Sequence, residues 1–323
     1  MDPVSDDGLR PWTPIRISGP PRDPVVEWAV VSAPFTQPFF EQSADVAMAA
    51  PFNLAFARRT PLAALERLAR EEPGLVPNGL IFHMSRCGST LIAQMLARLE
   101  ATIVVSEAQP FEALLRAHRL GGDESDGDVT VRRLRALAAV LGRPRRGELR
   151  LFIKLHAGHV LDLPLFERAF PQTPWIFAFR EPRAVLRSQA RQPGAEILPG
   201  TIDPPPRGIE PPEPGAFDAD DYGAQVLAAF CEAALAGAPS PRARFVAYES
   251  LPEAVERTIL PWFGIVPSDA ERERMHEIAR ADTKRDGAFD AARDRERVSE
   301  AIDRLAARRL DDVYARLRAC AAP

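Results

Sequence analysis

Cysteine is scarce in this 323-residue sequence, and the three present, Cys87, Cys231 and Cys320, are scattered. They form neither a disulfide framework nor a pair at metal-ligand spacing, which points to a reducing cytoplasm. Long apolar runs are missing too. No stretch approaches the ~20 residues that span a bilayer, and the acidic opening MDPVSDDGLR has no apolar centre of the kind a signal peptide carries. Positive charge is not in surplus: 41 Lys and Arg stand against 45 Asp and Glu, a formal net charge of −4. That disfavours a general nucleic-acid binder and leaves room for a local basic pocket. There is no internal repeat. The remainder, 46% hydrophobic and 27% charged, has the make-up of a globular protein long enough for one large α/β core with insertions.

The rest of the chain is organised around Asn78 to Leu99, NGLIFHMSRCGSTLIAQMLARL. An apolar run from Gly79 to Met84 enters a polar turn, Ser85-Arg86-Cys87-Gly88-Ser89-Thr90. Leu91, Ile92, Met95, Leu96 and Leu99 then recur at helical spacing. This predicts strand, loop, helix. Gly88 allows close approach of a ligand, the Ser89 and Thr90 hydroxyls can cap and donate, and the N–H groups of a helix start attract an anion. Arg86 adds a fixed charge, and Cys87 beside it reads as a small filler residue, with a thiolate open to oxidation or alkylation as the alternative. A phosphatase loop is excluded, because Ala93 stands where C-x₅-R needs arginine.

Before this stretch, residues 1–76 read as an N-terminal extension packing on the core, with a strand from Glu27 to Val31, the aromatics Phe35, Phe39, Phe40, Phe52 and Phe56, and a helix from Pro61 to Arg70. Residues 77–323 read as an α/β domain. Strands are predicted at Ala101–Val105, Leu149–Leu155, Thr173–Phe179 and Ala243–Tyr248, with helices between them. The fold class is therefore α/β: three layers, a central mainly parallel sheet with a P-loop-like strand-loop-helix, and helices on both faces. Residues 192–222, rich in proline, read as a long insertion serving as a lid. Further helices are expected at Pro252–Phe263, Asp269–Arg280 and Glu296–Ala319, with a basic glycine loop at Asp282–Gly287.

Three strand ends carry candidate chemistry. Glu107 follows the Ala101–Val105 strand at the carboxyl end of the sheet, where open α/β folds bind ligands. Lys154 and His156, two apart, face one side together, and a lysine in an apolar run needs an anionic partner. Arg180 ends the next strand, and Ser188 lies about two helical turns beyond it, so the two could converge on a phosphate.

SRCGST at 85–90 departs from a Walker A loop, because Ser89 stands where lysine should follow the glycine. It resembles instead the 5′-phosphosulfate loop of the sulfotransferase family. FREPRAVLRS at 179–188 resembles that family's strand-Arg-helix-Ser segment for the 3′-phosphate, and RFVAYESL at 244–251 its late strand with a tyrosine-glutamate turn. The resemblance covers residues 78–319. It implies a fold of that family and sulfuryl transfer from 3′-phosphoadenosine 5′-phosphosulfate (PAPS) as co-substrate, by in-line displacement, with no metal. Arg86, Cys87, Gly88, Ser89 and Thr90 would hold the 5′-phosphosulfate. Arg180, Ser188, Lys284 and Arg285 would take the 3′-phosphate, with the last two matched loosely. Lys154 would stabilise the leaving bridging oxygen. Two residues fit the base. Lys154-Leu155-His156 is similar to the Lys-x-His of the small-molecule type, and Glu107, 21 positions after Arg86, is similar to the glutamate of the tyrosylprotein type. Glu107 is preferred, with His156 orienting the acceptor or sharing its proton.

The acceptor implied is a hydroxyl or amine on a small molecule, a sugar or a tyrosyl side chain. Specificity is expected from the N-terminal extension, the insertion and the surroundings of Phe111 and His159. Two other readings stand beside this one: a P-loop kinase-like phosphotransferase, and a catalytically silent module that binds a nucleotide or a protein.

Overall fold

The computed structural model describes residues 8–20, 23–121, 127–202, 205, 209, 218–285 and 300–321, with the side chains of Glu196 and of 282–285 outside the description. In chain order the elements are β1 (Trp12–Ser18), β2 (Val25–Val30), α1 (Phe40–Met48), α2 (Pro51–Ala55), β3 (Arg58–Pro61) and α3 (Leu62–Glu71). Then come β4 (Gly79–His83), α4 (Ser89–Leu96), β5 (Thr102–Ser106), α5 (Gln109–Arg119), α6 (Gly127–Leu141), β6 (Arg150–Lys154) and α7 (Leu163–Ala169). The last third holds β7 (Trp175–Phe179), α8 (Pro182–Arg191), α9 (Ala219–Ala236), β8 (Ala243–Ala247), α10 (Leu260–Trp262), α11 (Asp269–Arg285), α12 (Glu300–Arg309) and α13 (Asp311–Cys320).

The fold is α/β, with five parallel strands in the order β5-β6-β4-β7-β8 and a separate antiparallel sheet, β1-β2-β3. Every residue of β4 and β7 is buried, as in strands covered on both faces, and this explains why they read as unbroken apolar runs. β4 is the middle strand, from which the order runs outward in both directions. A strand so placed carries its ligand loop at its carboxyl end.

The chain divides into two compact units. The first comprises Met1–Asn78, Glu100–Lys154 and Pro164–Thr173, the second Gly79–Leu99, Leu155–Leu163 and Pro174–Pro323. In the first, β1 pairs with β2 and shifts register between Pro14 and Arg16. A proline has no N–H for the ladder, and the bulge accommodates it. Two side-chain amides, buried Asn53 and half-buried Gln109, continue the strand edges. Asn53 accepts from the Val30 N–H at 2.9 Å and donates to the Val30 carbonyl at 3.0 Å. Gln109 does the same at Ile17, at 3.0 and 2.9 Å, which ties the start of α5 to β1.

In the second unit the parallel strands β4, β7 and β8 are packed by aromatic edges, with the Phe82 and Trp175 rings at 5.9 Å and Phe177 and Phe245 at 6.1 Å. Gly79 opens β4 against the ring of Phe263, which a Cβ would meet at 2.5 Å. The C-terminal helices are held by arginine clusters. Arg183, in the first turn of α8, bonds Asp311 at 2.8 and 2.9 Å and Asp303 at 2.8 Å. Asp221 of α9 receives Arg308 at 2.6 Å and Arg309 at 3.1 and 3.0 Å.

The structure corrects the sequence expectations at several elements. β1, α1, α2 and β3 lie in a region where the sequence predicts only one strand and one helix, because prolines and short lengths mask their periodicity. α11 continues through Arg285 where a loop was expected from Asp282. No glycine or proline interrupts it there, and 286–299, including Gly287, lie outside the described residues. The single helix expected at Glu296–Ala319 is two, broken at buried Leu310 (φ −127°, ψ −26°). Asp311 and Asp312 then open the second helix, at the end that favours negative charge. Within Pro252–Phe263, residues Val255–Ile259 form a π turn. Pro261, lacking an N–H, sits just past it and breaks the regular ladder. Of the insertion, residues 192–202, 205, 209 and 218–222 are described, with a 3₁₀ turn at Ala195–Ile197 and the start of α9 at Ala219, and 203–204, 206–208 and 210–217 lie outside the described residues.

Candidate functional site

In the second unit, β4 delivers its carboxyl end to the loop 85–90. Ser85 and Arg86 both adopt left-handed backbone (φ 76° and 51°), followed by Gly88 at φ 78°. Two consecutive non-glycine residues in this region are costly, on the order of 1–3 kcal/mol each, and persist only where the surroundings over-determine them. Those surroundings are visible. The Ser85 N–H donates to His83 Nδ1 at 3.1 Å, and the Ser85 hydroxyl accepts from Gln189 Nε2 of α8 at 3.2 Å. Gln189 Oε1 in turn accepts from the Gly194 N–H at 2.7 Å. Gly88 caps α4, and a Cβ there would stand 2.7 Å from Leu251 Cδ1 and 3.1 Å from the Tyr248 ring. Its dihedral angle and the close approach of the Tyr248 ring both favour glycine.

The cationic groups converge on this loop. Arg86 Nη2 donates to the Gln192 carbonyl at 2.6 Å. Arg180, where β7 ends, places Nη1 3.4 Å from the Arg86 carbonyl and lays its guanidinium over the Tyr248 ring at 4.0 Å. The sequence segments around 86, 180 and 248 thus meet in one place. Ser188 is half-buried on α8 and Thr90 half-buried on α4. Cys87 is buried, with its thiol donating to the Ala178 carbonyl of β7 at 3.1 Å, and Ser89 is buried beside it in sequence. His156 is half-buried ahead of the 3₁₀ segment Ala157–Asp162, its ring edge-on to that of His159 at 5.2 Å. Lys284 and Arg285 end α11, and their side chains are outside the description.

In the first unit, β5 and β6 run in register, Ser106 beside Lys154. Lys154, 1% exposed, forms an ion pair with the Glu107 carboxylate. The Glu107 N–H donates to the Lys154 carbonyl at 2.7 Å, and Glu107 is left-handed at φ 55°. A buried ammonium is tolerable only when paired, and here the pair is built by the register of two strands. The Phe39 ring, at the start of α1, lies 5.3 Å from Nζ.

Phe111 and His159, expected to border the acceptor, are both 1% exposed and belong to the packed interior. Four contributors escaped the sequence reading: His83, Gln189, Phe39 and the stacking role of Tyr248. None of the four carries a local sequence signal, whereas Lys154 carries a second one. Lysine is nearly absent, Lys154 being one of two in a chain with 41 Lys and Arg together, so its use at a buried strand end marks a place where arginine does not serve.

Solved structures similar to this chain include sulfotransferases. A sulfotransferase from Mycobacterium avium superposes with a TM-score of 0.46 at 14% identity over 77% of this chain and 81% of that one. One from Alicyclobacillus acidocaldarius gives 0.45 at 15%, over 76% and 96%. Retinol dehydratase in complex with androsterone and the inactive cofactor PAP gives 0.36 at 14%, over 97% and 94%. No protein-family model matches the chain, and neither does any curated protein. Among the described residues no helix is long and apolar enough to cross a membrane.

Proposed function

We propose that this chain is a PAPS-dependent sulfotransferase. The observation that carries the proposal is the meeting of Arg180 with the Arg86 carbonyl at the left-handed loop. Two cationic segments 94 positions apart become one anion-binding surface, beside the N-terminus of α4. A nucleotide with phosphates at both ends needs such a surface. The residues fit the donor chemically, with backbone N–H groups and guanidinium groups for anions.

The donor supplies the sulfuryl group. Arg86 and the N–H groups of Cys87, Gly88, Ser89 and Thr90 hold its 5′ end. Arg180 and Ser188 hold the 3′-phosphate, with Lys284 and Arg285 as further ligands. Lys154 offsets charge on the departing oxygen. Glu107 takes the proton of the acceptor's hydroxyl or amine as the new S–O or S–N bond forms, and His156 orients the acceptor. Positioning and fixed charge do most of the work in such a displacement.

The test is calorimetric binding of 3′-phosphoadenosine 5′-phosphate against AMP and ATP, without and with magnesium. Magnesium-independent preference for the 3′-phosphorylated nucleotide, lost in Arg180→Ala, supports the reading. Preference for ATP with magnesium favours the kinase, and tight donor binding without sulfated product favours a silent module.

A further inference from the structure

His83 is buried at the end of β4, at 5% exposure, and its ring bonds in two directions. The Ser85 backbone N–H donates to Nδ1 at 3.1 Å, and Nε2 lies 2.9 Å from the Leu155 carbonyl. A backbone N–H can only donate, so Nδ1 carries a lone pair. An imidazole with a bare Nδ1 bears its proton on Nε2, and Nε2–H then donates to Leu155. The two partners therefore define a single neutral tautomer. A charged ring would aim a second N–H at the Ser85 N–H.

This bond falls on the residue that starts the left-handed turn. Ser85 at φ 76° is held through its N–H by His83 and through its hydroxyl by Gln189. Arg86, the next residue, is left-handed as well. The same ring reaches Leu155, the residue between Lys154 and His156 in the chain. We infer that His83, as the neutral Nε2–H tautomer, is a positioning residue: it holds Ser85 left-handed and so presets the anion-binding loop. The inference about the fold stands on these bonds alone, whereas its effect on donor binding rests on the sulfotransferase reading above.

Two substitutions separate the two ring nitrogens. In His83→Asn the amide oxygen can stand near Nδ1 and accept from the Ser85 N–H. In His83→Gln the longer amide reaches toward Nε2 and leaves the Ser85 N–H without that acceptor. His83→Asn is expected to bind 3′-phosphoadenosine 5′-phosphate within about threefold of the native protein, and His83→Gln at least tenfold more weakly. Amide exchange at Ser85, measured without nucleotide, is expected to stay slow in His83→Asn and to quicken at least tenfold in His83→Gln. Equal behaviour of the two variants, or the reverse order, overturns the inference.

A measurement on the native protein needs no variant to fold. Imidazole ¹⁵N shifts should show His83 protonated at Nε2 and bare at Nδ1, and the other tautomer or a charged ring overturns the assignment. If the native protein ignores the nucleotide, the donor reading fails, and the Ser85 exchange and ring shifts still decide the role of His83.

Discussion

Lys154 and Glu107 are joined twice, by an ion pair between their side chains and by the Glu107 N–H bonding the Lys154 carbonyl at 2.7 Å. The ammonium is 1% exposed and the carboxylate side chain 15%. An ammonium so deeply buried depends on this partner, and the backbone bond keeps the partner in place.

Removing one member alone should therefore be severe. Glu107→Ala is expected to lose about 3 kcal/mol of stability in urea unfolding, the usual effect of stranding a buried charge. The double variant Lys154→Met with Glu107→Leu should recover much of that stability while remaining inactive. Glu107→Gln keeps an oxygen for Lys154 but no basicity, so near-normal sulfuryl transfer by it would remove Glu107 from the role of base and leave His156.

Tyr248 supports Arg180 through its ring face at 4.0 Å. Such a cation–π contact is worth about 0.5–2 kcal/mol. Tyr248→Phe should bind 3′-phosphoadenosine 5′-phosphate as the native protein does, and Tyr248→Leu should bind several-fold more weakly. Calorimetric titration of both variants distinguishes support by the ring from support by the hydroxyl.

Asp221 links α9 to α12, and the hydrogen bond from Arg309 is the main cause that holds its carboxyl below the ordinary value of 3.8; Arg308 adds to this and burial works against it. The folded-state value is thus below the unfolded one. Its stabilisation is complete above the ordinary value and is lost as pH falls through the lowered folded value. The melting temperature of the native protein should exceed that of Asp221→Asn most above the ordinary carboxylate value, with the gap narrowing as pH falls below it.

The sequence leaves Cys87 two readings, a small filler residue and a reactive thiolate at a helix start beside Arg86. Its thiol lies buried against the Ala178 carbonyl, the place of a packed filler. Cys231 is buried too, and burial pushes its thiol well up, the neighbouring Cys87 adding to the effect. Cys320 is exposed. A disulfide reagent should therefore titrate one thiol quickly in the native protein, and mass spectrometry should place the label on Cys320. Fast labelling of Cys87 would contradict this packing.

Much of each unit's candidate cluster is legible in the amino-acid sequence. Arg86, Gly88, Lys154, Glu107 and Arg180 stand at the ends of apolar runs, and a strand end in an α/β sheet is a position that local pattern reveals. The supporting side chains leave no such trace. Gln189 reads as one more polar residue on a helix, and Phe39 as one aromatic among several. A histidine ending an apolar strand gives no hint of which nitrogen is bonded. The breaks at Leu310 and before Pro261 likewise depend on packing and on a missing N–H within stretches of helical composition.

By itself the sequence determined the alternation of strands and helices, the loop after β4 and the identity of the charged residues at strand ends. Those properties follow from spacings of two to four residues and from the dihedral limits of glycine and proline. Only the tertiary structure decided the partners: Glu107 for Lys154 across 47 positions, Arg180 for Arg86 across 94, and Leu155 for His83 across 72. Such pairs form only when the sheet order brings distant strand ends side by side. Closure over tens of residues depends on the packing of the whole core, and no local pattern encodes it.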